Sequence, residues 1–283
     1  MQAWITLLTQ PDYVLGVRTL HQSLRDTQTR YPLVVMVTQS IDAATRSALT
    51  DEGCLVRDVA ALSPAPGVAA NYAHAHFAEV WTKLCAWNLT EFSRLVLLDA
   101  DMLVVKNMDE LMDLPLQPGW IAACHACRCN PNHIATYPAD WVPANCHYTY
   151  GDGADDAAVP HGVAPYFNSG TVVLTPDKAI FADLQASLTA ITDLSAFPFP
   201  EQDLLNRYFL HRWQPLSYQY NGLKTLSLHH RNIWDSSQVK NIHFILAKPW
   251  KYPLAQPQTQ QDPYYPLITL WWQTAGALKP LNT

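Results

Sequence analysis

Two aspartates, Asp99 and Asp101, stand directly after the apolar run at residues 95–98, with only Ala100 between them. Alternate residues of an extended chain point the same way, so both carboxylates would leave the backbone on one side. Such a pair suits Mg²⁺ or Mn²⁺, which prefer oxygen ligands and keep positions for water and substrate phosphates. The pair could equally solvate a strand end, so the motif alone leaves both interpretations open.

Several further residues could take part in binding or catalysis, and for each a purely structural role is the alternative. Lys83 is predicted near the amino end of a helix at 81–92, where it could receive a phosphate or simply be a surface lysine. Glu201 and Gln202 fall in a first helical turn, where acidic residues are often only dipole partners. His243 lies in an apolar strand, where a histidine is more often a core residue than a ligand.

Cysteine and histidine are concentrated in a proline-rich segment without periodicity, residues 125–165. The segment and the residue before it contain Cys124, Cys127, Cys129, Cys146, His125, His133, His147 and His161. This density could hold a structural zinc ion. The spacing matches no standard zinc signature, so packed thiols are the alternative. Cys54 and Cys85 are expected to be buried thiols.

Composition limits the function classes. Of the 283 residues 49% are apolar, and the formal net charge is 18 − 24 = −6, which offers no basic surface to nucleic acid or to an anionic membrane. No apolar run approaches the roughly 18 residues of a membrane span, and the amino terminus passes straight into a strand pattern. We therefore expect no signal peptide and a cytosolic protein.

The periodicity predicts alternating strands and helices, and hence a parallel, doubly wound α/β sheet. The predicted strands are 3–9, 33–38, 54–59, 95–98, 120–124, 166–174 and 239–246. The predicted helices include 12–27, 41–52, 81–92, 176–194 and one beginning near residue 200. The carboxyl ends of strands in such a sheet bind ligands, which is where Asp99 and Asp101 fall.

We expect one globular domain over residues 1–250, with 125–165 as an insertion, followed by a linker and an aromatic tail over 251–283. Five prolines between residues 249 and 266 predict an extended, non-helical linker. The segment 267–278 is predicted to be a short helix that docks by its tryptophans. Residues 63–67, SPAPG, are predicted to form a loop.

The motifs ITLLTQPDY, TKLCAW, RLVLLDADMLVVKNMDEL, YFNSG, EQDLLN, and VKNIHF with KPW occur in this order between about residues 3 and 250. This series closely resembles glycosyltransferase family 8, in particular its glycogenin and galactinol synthase branch. The resemblance implies a GT-A fold: a Rossmann-like, mostly parallel sheet with helices on both faces and a smaller acceptor-side extension. It also implies a retaining transferase that uses a UDP-sugar and Mn²⁺, with Mg²⁺ possible.

The resemblance assigns roles to residues matching the motifs. The metal ligands implied are Asp99, Asp101 and His243. The donor-binding residues implied are Leu7, Thr9, Tyr13, Lys83, Ala100, Asn168, Ser169 and Lys248, with Tyr13 stacking on the base and Lys248 contacting the diphosphate. The catalytic residues implied are Glu201, Gln202 and Lys83, the first two beneath the anomeric carbon.

Three departures separate the chain from glycogenin. Glycogenin-like proteins carry Asp where this chain has Glu201, and an earlier Asp where it has Pro198 or Phe199. The stretch between His243 and Lys248 is shorter than in either relative and lacks the usual glycine. EQDLLN and the long insertion before YFNSG lie closer to the galactinol synthase form.

The resulting hypothesis is transfer of a hexose, galactose or glucose, from a UDP-sugar to a small polyol, sugar or glycan. Alternatives are a glycogenin-like self-glucosylating protein and a non-catalytic nucleotide-sugar binder. Both double displacement and same-face attack stay open as routes to retention. A homodimer is possible, and nucleic acid is not expected as a partner. A nucleotidyltransferase is disfavoured because TQPDY is neither glycine-rich nor basic.

Overall fold

The computed structural model describes residues 1–65, 75–152 and 159–279. Its strands are β1 Gln2–Leu8, β2 Leu33–Val37, β3 Leu55–Asp58, β4 Arg94–Leu98, β5 Met102–Val104, β6 Ile121–His125, β7 Phe167–Leu174, β8 Trp213–Leu216, β9 Gly222–Leu223 and β10 Asn241–His243. Its α-helices are α1 Val14–Asp26, α2 Ala43–Asp51, α3 Lys178–Thr189, α4 Pro200–Tyr208, α5 Leu226–His229, α6 Pro257–Gln260 and α7 Tyr265–Ala275. Single 3₁₀ turns lie between several of them.

A seven-stranded sheet with the order β3-β2-β1-β4-β7-β6-β8 forms the centre of the molecule. Strands β3, β2, β1 and β4 run parallel to one another, and β6 runs parallel to β8. Strand β7 runs antiparallel to both β4 and β6. The prediction of a mostly parallel α/β sheet is therefore confirmed, with β7 as the exception.

Apolar clusters cover both faces of this sheet. The 3₁₀ segment Ala75–Asn88 and helices α3 and α4 contribute to the cluster on one face. Helices α1 and α2 contribute to the cluster on the other. Strand β2 is buried along its whole length, as expected for a strand inside a sheet covered on both sides. Cys54 and Cys85 are buried thiols, as predicted.

A second sheet has three strands in the order β5-β10-β9, and its first strand, β5, follows β4 in the sequence. Residues Asp99 to Asp101 form the link between the two sheets, since β4 ends at Leu98 and β5 begins at Met102. Ala100 and Asp101 lie in a turn. The two aspartates are thus brought together by a turn and not, as predicted, by an extended strand.

Three other predictions are corrected. The helix predicted at 81–92 is the 3₁₀ segment Ala75–Asn88, so Lys83 does not stand at a helix amino end. The strand predicted at 239–246 is only Asn241–His243. The segment predicted to be non-helical contains a 3₁₀ turn, helix α6 and the start of α7, because three of its five prolines fall in first turns, where no backbone N–H is needed.

The carboxyl-terminal helix predicted from the tryptophans is α7. Trp271 is fully buried and lies 5.7 Å from the ring of Trp250. In the described ranges, no helix combines the length and the apolar run that crossing a bilayer requires. The loop predicted at 63–67 extends beyond residue 65 and so lies partly outside the described residues.

Candidate active site

Asp99 and Asp101 are fixed by backbone hydrogen bonds to both sheets. The amide of Asp99 donates to the carbonyl of Gly170 in β7 over 3.0 Å, and the carbonyl of Asp101 accepts from the amide of Phe244 over 2.9 Å. His243 precedes Phe244, and its Nε2 lies 3.3 Å from Asp101 Oδ1 and 3.7 Å from Asp99 Oδ2. The two carboxylates and the imidazole therefore meet at the junction of the sheets.

A chain of hydrogen bonds sets the orientation of the His243 ring. The amide of Gly170 donates to Asn168 Oδ1, which also accepts from Asn221 Nδ2 over 2.8 Å. Asn221 must then present Oδ1 to His243 Nδ1, 2.8 Å away, so Nδ1 carries the proton. Nε2 is left with its lone pair directed at the two carboxylates.

This donor set fits a divalent cation. One ligand atom from each of Asp99, Asp101 and His243 lies within 4.8 Å of the others. Carboxylates suit magnesium and manganese, and an imidazole held by a second hydrogen bond is typical of a metal ligand. Asn221 was not foreseen from the sequence, where Asn-Gly indicates only a turn.

Gly170 makes this arrangement possible. A Cβ at this position would lie 2.5 Å from His243 Cε1 and 2.8 Å from Nδ1. Real side chains do not tolerate such approaches, so β7 must pass the imidazole without a side chain here. The glycine of the YFNSG motif is therefore explained by the histidine it faces.

Lys83 joins Asp99 to Glu201. Its Nζ lies 2.6 Å from Asp99 Oδ1 and 2.9 Å from Glu201 Oε1, and all three side chains are largely buried. Burial would lower the pKa of Lys83, but the two carboxylates raise it above its usual value. Lys83 is thus a buried cation of the site, and the surface-lysine alternative is wrong.

Lys248 approaches the metal-ligand candidates from the other side, with an ion pair between its Nζ and Asp101. Burial favours protonation of Asp101, yet its ion pair with Lys248 holds its pKa below the usual range. Leu246, which lies between His243 and Lys248 in the sequence, adopts a left-handed backbone conformation with φ of 66°. A leucine thus adopts a backbone conformation that usually favours glycine.

Gln202 has a fixed amide orientation. Its Oε1 accepts hydrogen bonds from Asn168 Nδ2 and from the Ser169 amide, over 3.0 and 3.1 Å. Its Nε2 donates to the Tyr166 hydroxyl, which in turn donates to Asp203. Both lone pairs of the Gln202 carbonyl oxygen are therefore engaged by the protein.

Glu201 lies beside it, and its Oε1 accepts from the Ser169 hydroxyl as well as from Lys83. Tyr166 and Asp203 complete this part of the site, and neither was singled out from the sequence. Burial, as the main cause, raises the pKa of Asp203 to about 6.

All of the candidate site residues line one cleft. They are Leu7, Thr9, Tyr13, Lys83, Asp99, Ala100, Asp101, Asn168, Ser169, Glu201, Gln202, His243 and Lys248. Tyr13 packs edge-on against Trp250, with ring centroids 5.2 Å apart. Tyr137 and Trp141 of the insertion also line the cleft and contribute apolar wall. The cleft therefore combines charged and aromatic side chains.

A mostly parallel sheet with helices on both faces is the architecture of GT-A glycosyltransferases. The fold is similar to that of the galactosyltransferase LgtC solved with donor and acceptor sugar analogs. The TM-score is 0.64 at 17% identity, and the match covers 99% of this chain and 97% of that one. The prediction of a GT-A fold is confirmed.

Sequence comparison then gives the family. Residues 4–253 match Glycosyl transferase family 8. Galactinol synthase 7 of Arabidopsis thaliana is 31% identical, over 96% of this chain and 80% of that protein. Galactinol synthase 1 of Solanum lycopersicum is 30% identical, over 95% and 80%. The chain belongs to glycosyl transferase family 8, as the motif series predicted.

Proposed function

We propose that this protein transfers a hexose from a UDP-sugar to a small polyol or sugar, with retention of configuration and with Mn²⁺ as cofactor. The observation that carries the proposal is the convergence of Asp99, Asp101 and His243 with Lys83 and Lys248 in one cleft. Three metal ligands and two cations in this arrangement suit a diphosphate.

The chemistry needs positive charge where the diphosphate leaves. Bound to Asp99, Asp101 and His243, a divalent cation would neutralise charge that develops on the leaving UDP. Lys248 lies against Asp101 and can exchange that carboxylate for a phosphate oxygen. Lys83 holds Asp99 and Glu201 in place through its two ion pairs.

The cleft must also tolerate positive charge at the anomeric carbon. Glu201 and Gln202 present oxygens there, but Gln202 is an amide and the Glu201 Oε1 is hydrogen-bonded to Lys83 and Ser169. Neither group is an activated nucleophile, which favours same-face attack by the acceptor. Intact-mass measurement with donor but no acceptor should find no hexose adduct on the protein; a stoichiometric adduct at Glu201 would establish double displacement.

Relatives named galactinol synthase, at about 30% identity over nearly the whole chain, favour galactose as the hexose and a cyclic polyol as the acceptor. The long insertion supports the same choice, because it supplies the aromatic side chains of Tyr137 and Trp141 to the cleft. Aromatic faces suit the apolar faces of sugars and cyclic polyols.

The test is a donor and acceptor screen. Purified protein is incubated with a panel of UDP-sugars, Mn²⁺ and myo-inositol or another polyol, and UDP release is measured. UDP-galactose with a polyol is expected to give the fastest release, and the isosteric Asp101→Asn variant is expected to give almost none. No release with any donor, or equal release by Asp101→Asn, would refute the proposal.

Two alternatives predict different results in the same samples. A self-glucosylating protein would gain mass in UDP-glucose without an added acceptor. A non-catalytic binder would bind UDP with Mn²⁺ in calorimetry without releasing product. A cytosolic location and a homodimer stay predictions from the sequence, and light scattering of the purified protein would test the latter.

A further inference from the structure

A second cluster of metal-ligand side chains lies outside the acidic centre of the cleft. Cys127 and Cys129 follow β6, Cys146 lies between the two 3₁₀ turns Pro143–Asn145 and His147–Thr149, and His230 follows α5. One ligand atom from each lies within 4.8 Å of the other three. His230 Nε2 lies 3.1, 3.4 and 3.8 Å from the sulfurs of Cys129, Cys127 and Cys146.

We propose that Cys127, Cys129, Cys146 and His230 bind a structural zinc ion. Three thiolates and one imidazole form a closed tetrahedral set, with Zn–S and Zn–N bonds of about 2.3 and 2.0 Å. Ligand atoms at the corners of such a tetrahedron lie roughly 3.5–3.8 Å apart. The separations around His230 agree with this spacing to within a few tenths of an ångström.

The orientation of His230 supports the assignment. Its Nδ1 lies 3.1 Å from the backbone carbonyl of Tyr148, which can only accept a hydrogen bond. Nδ1 therefore carries the proton, and Nε2 directs its lone pair at the three sulfurs. A histidine whose second nitrogen is held by a carbonyl is the usual arrangement at zinc.

Other cysteine and histidine residues nearby in the sequence make different contacts. The thiol of Cys124 donates to the carbonyl of Ser217 over 3.1 Å and takes no part in the cluster. His125 stacks on His147, with ring centroids 3.7 Å apart. The fourth ligand comes instead from His230, about 84 positions after Cys146, which the sequence did not single out.

A disulfide between two of these cysteines would leave the third sulfur and the histidine unexplained. All four groups converge on one point, and they come from three separate segments of chain. A single ion accounts for all four, and it would tie the insertion to the second, three-stranded sheet through His230 and α5. The residues between Cys129 and Cys146 include Tyr137 and Trp141, so the ion would hold the part of the cleft wall that these two residues form.

The proposal is tested by metal analysis, which is independent of transferase activity. Protein purified under reducing conditions, without chelator or metal-affinity resin, is expected to contain about one zinc per chain. Cys146→Ser and His230→Gln should each lower this more than tenfold, and Cys54→Ala, which alters a buried thiol outside the cluster, should not. Absence of zinc after reconstitution, iron in its place, or full zinc content in Cys146→Ser would overturn the proposal.

Wild-type protein provides a second measurement if those variants do not fold. Alkylation followed by peptide mass spectrometry should find Cys127, Cys129 and Cys146 protected, and a chelator should expose all three together. Cys129 and Cys127 are partly exposed in the fold, so burial alone does not predict their protection. Alkylation that is unaffected by chelator, or a disulfide in freshly purified protein, would refute the zinc site.

Discussion

Replacing Gly170 by alanine would place a methyl carbon 2.5 Å from Cε1 and 2.8 Å from Nδ1 of His243. Ordinary carbon contacts lie at about 3.5–4.0 Å, so the new carbon would be roughly 1 Å too close. Asn168 Oδ1, at 2.8 Å, blocks retreat in another direction. His243 must therefore move away from its hydrogen bond to Asn221 and from the two carboxylates.

Overpacking of this kind costs about 1–3 kcal/mol. If the imidazole takes up the displacement, this energy is lost from metal binding, which corresponds to roughly 5- to 150-fold weaker affinity. The substitution adds no charge and removes no ligand, so the effect reports only the position of the His243 ring.

The assay is a titration of Mn²⁺ in the presence of UDP, with free Mn²⁺ followed by electron paramagnetic resonance. Gly162→Ala is the matched control, because a Cβ there meets nothing within 4 Å and the backbone is not in the left-handed region. It should bind Mn²⁺ as the wild type does. An unchanged Mn²⁺ affinity in Gly170→Ala would refute the reasoning, whether or not the variant is less stable.

Two further predictions concern buried charges. Without added metal, Lys83→Met should lower the free energy of unfolding by about 3 kcal/mol, because it leaves Asp99 and Glu201 buried without their cation. Urea unfolding measures this free energy. Lys251→Met, which alters an exposed lysine, should change the free energy of unfolding little. An equal effect of both substitutions would contradict the buried ion triad. Asp203 keeps its proton up to a pH of about 6 in the folded state but only to about 4 in the unfolded chain, so its contribution to stability falls as pH rises through that window. When the pH is raised from 5 to 7.5, the free energy of unfolding of Asp203→Asn should therefore fall by about 1 kcal/mol less than that of the wild type. Asp183→Asn, at an exposed Tyr–Asp pair, should follow the wild type. Parallel pH profiles of stability for Asp203→Asn and the wild type would refute the raised pKa of Asp203.

The sequence predicted the long elements of the fold because burial on both faces leaves a clear apolar pattern. Strand β2 is an example, since all five of its residues are buried and all are apolar. Strands β5 and β9 and helix α5 have two to four residues each, too few for any periodicity to register. Their positions depend on pairing with distant strands, which local sequence does not encode.

The candidate site likewise contains residues that the sequence indicated and residues that it did not. Residues such as Asp101 and Lys248 carry charges in recognisable motifs, so their types and order pointed to the cleft. Asn221 and Tyr166 act by orienting other side chains, and nothing in their neighbourhood separates them from ordinary polar residues. His230 is the same case, because its partners lie some hundred positions away and are brought to it only by the fold.

Leu246 has a consequence for how this cleft could change. A leucine in the left-handed region costs about 1–2 kcal/mol relative to an ordinary conformation, and glycine would avoid that cost. The same side chain lines the cleft, as does Lys248, so glycine would also remove apolar bulk from the cleft wall. Leu246→Gly would therefore change stability and the shape of the cleft together, and under the proposed function a substitution that raises the melting temperature there should also alter the choice among nucleotide-sugar donors.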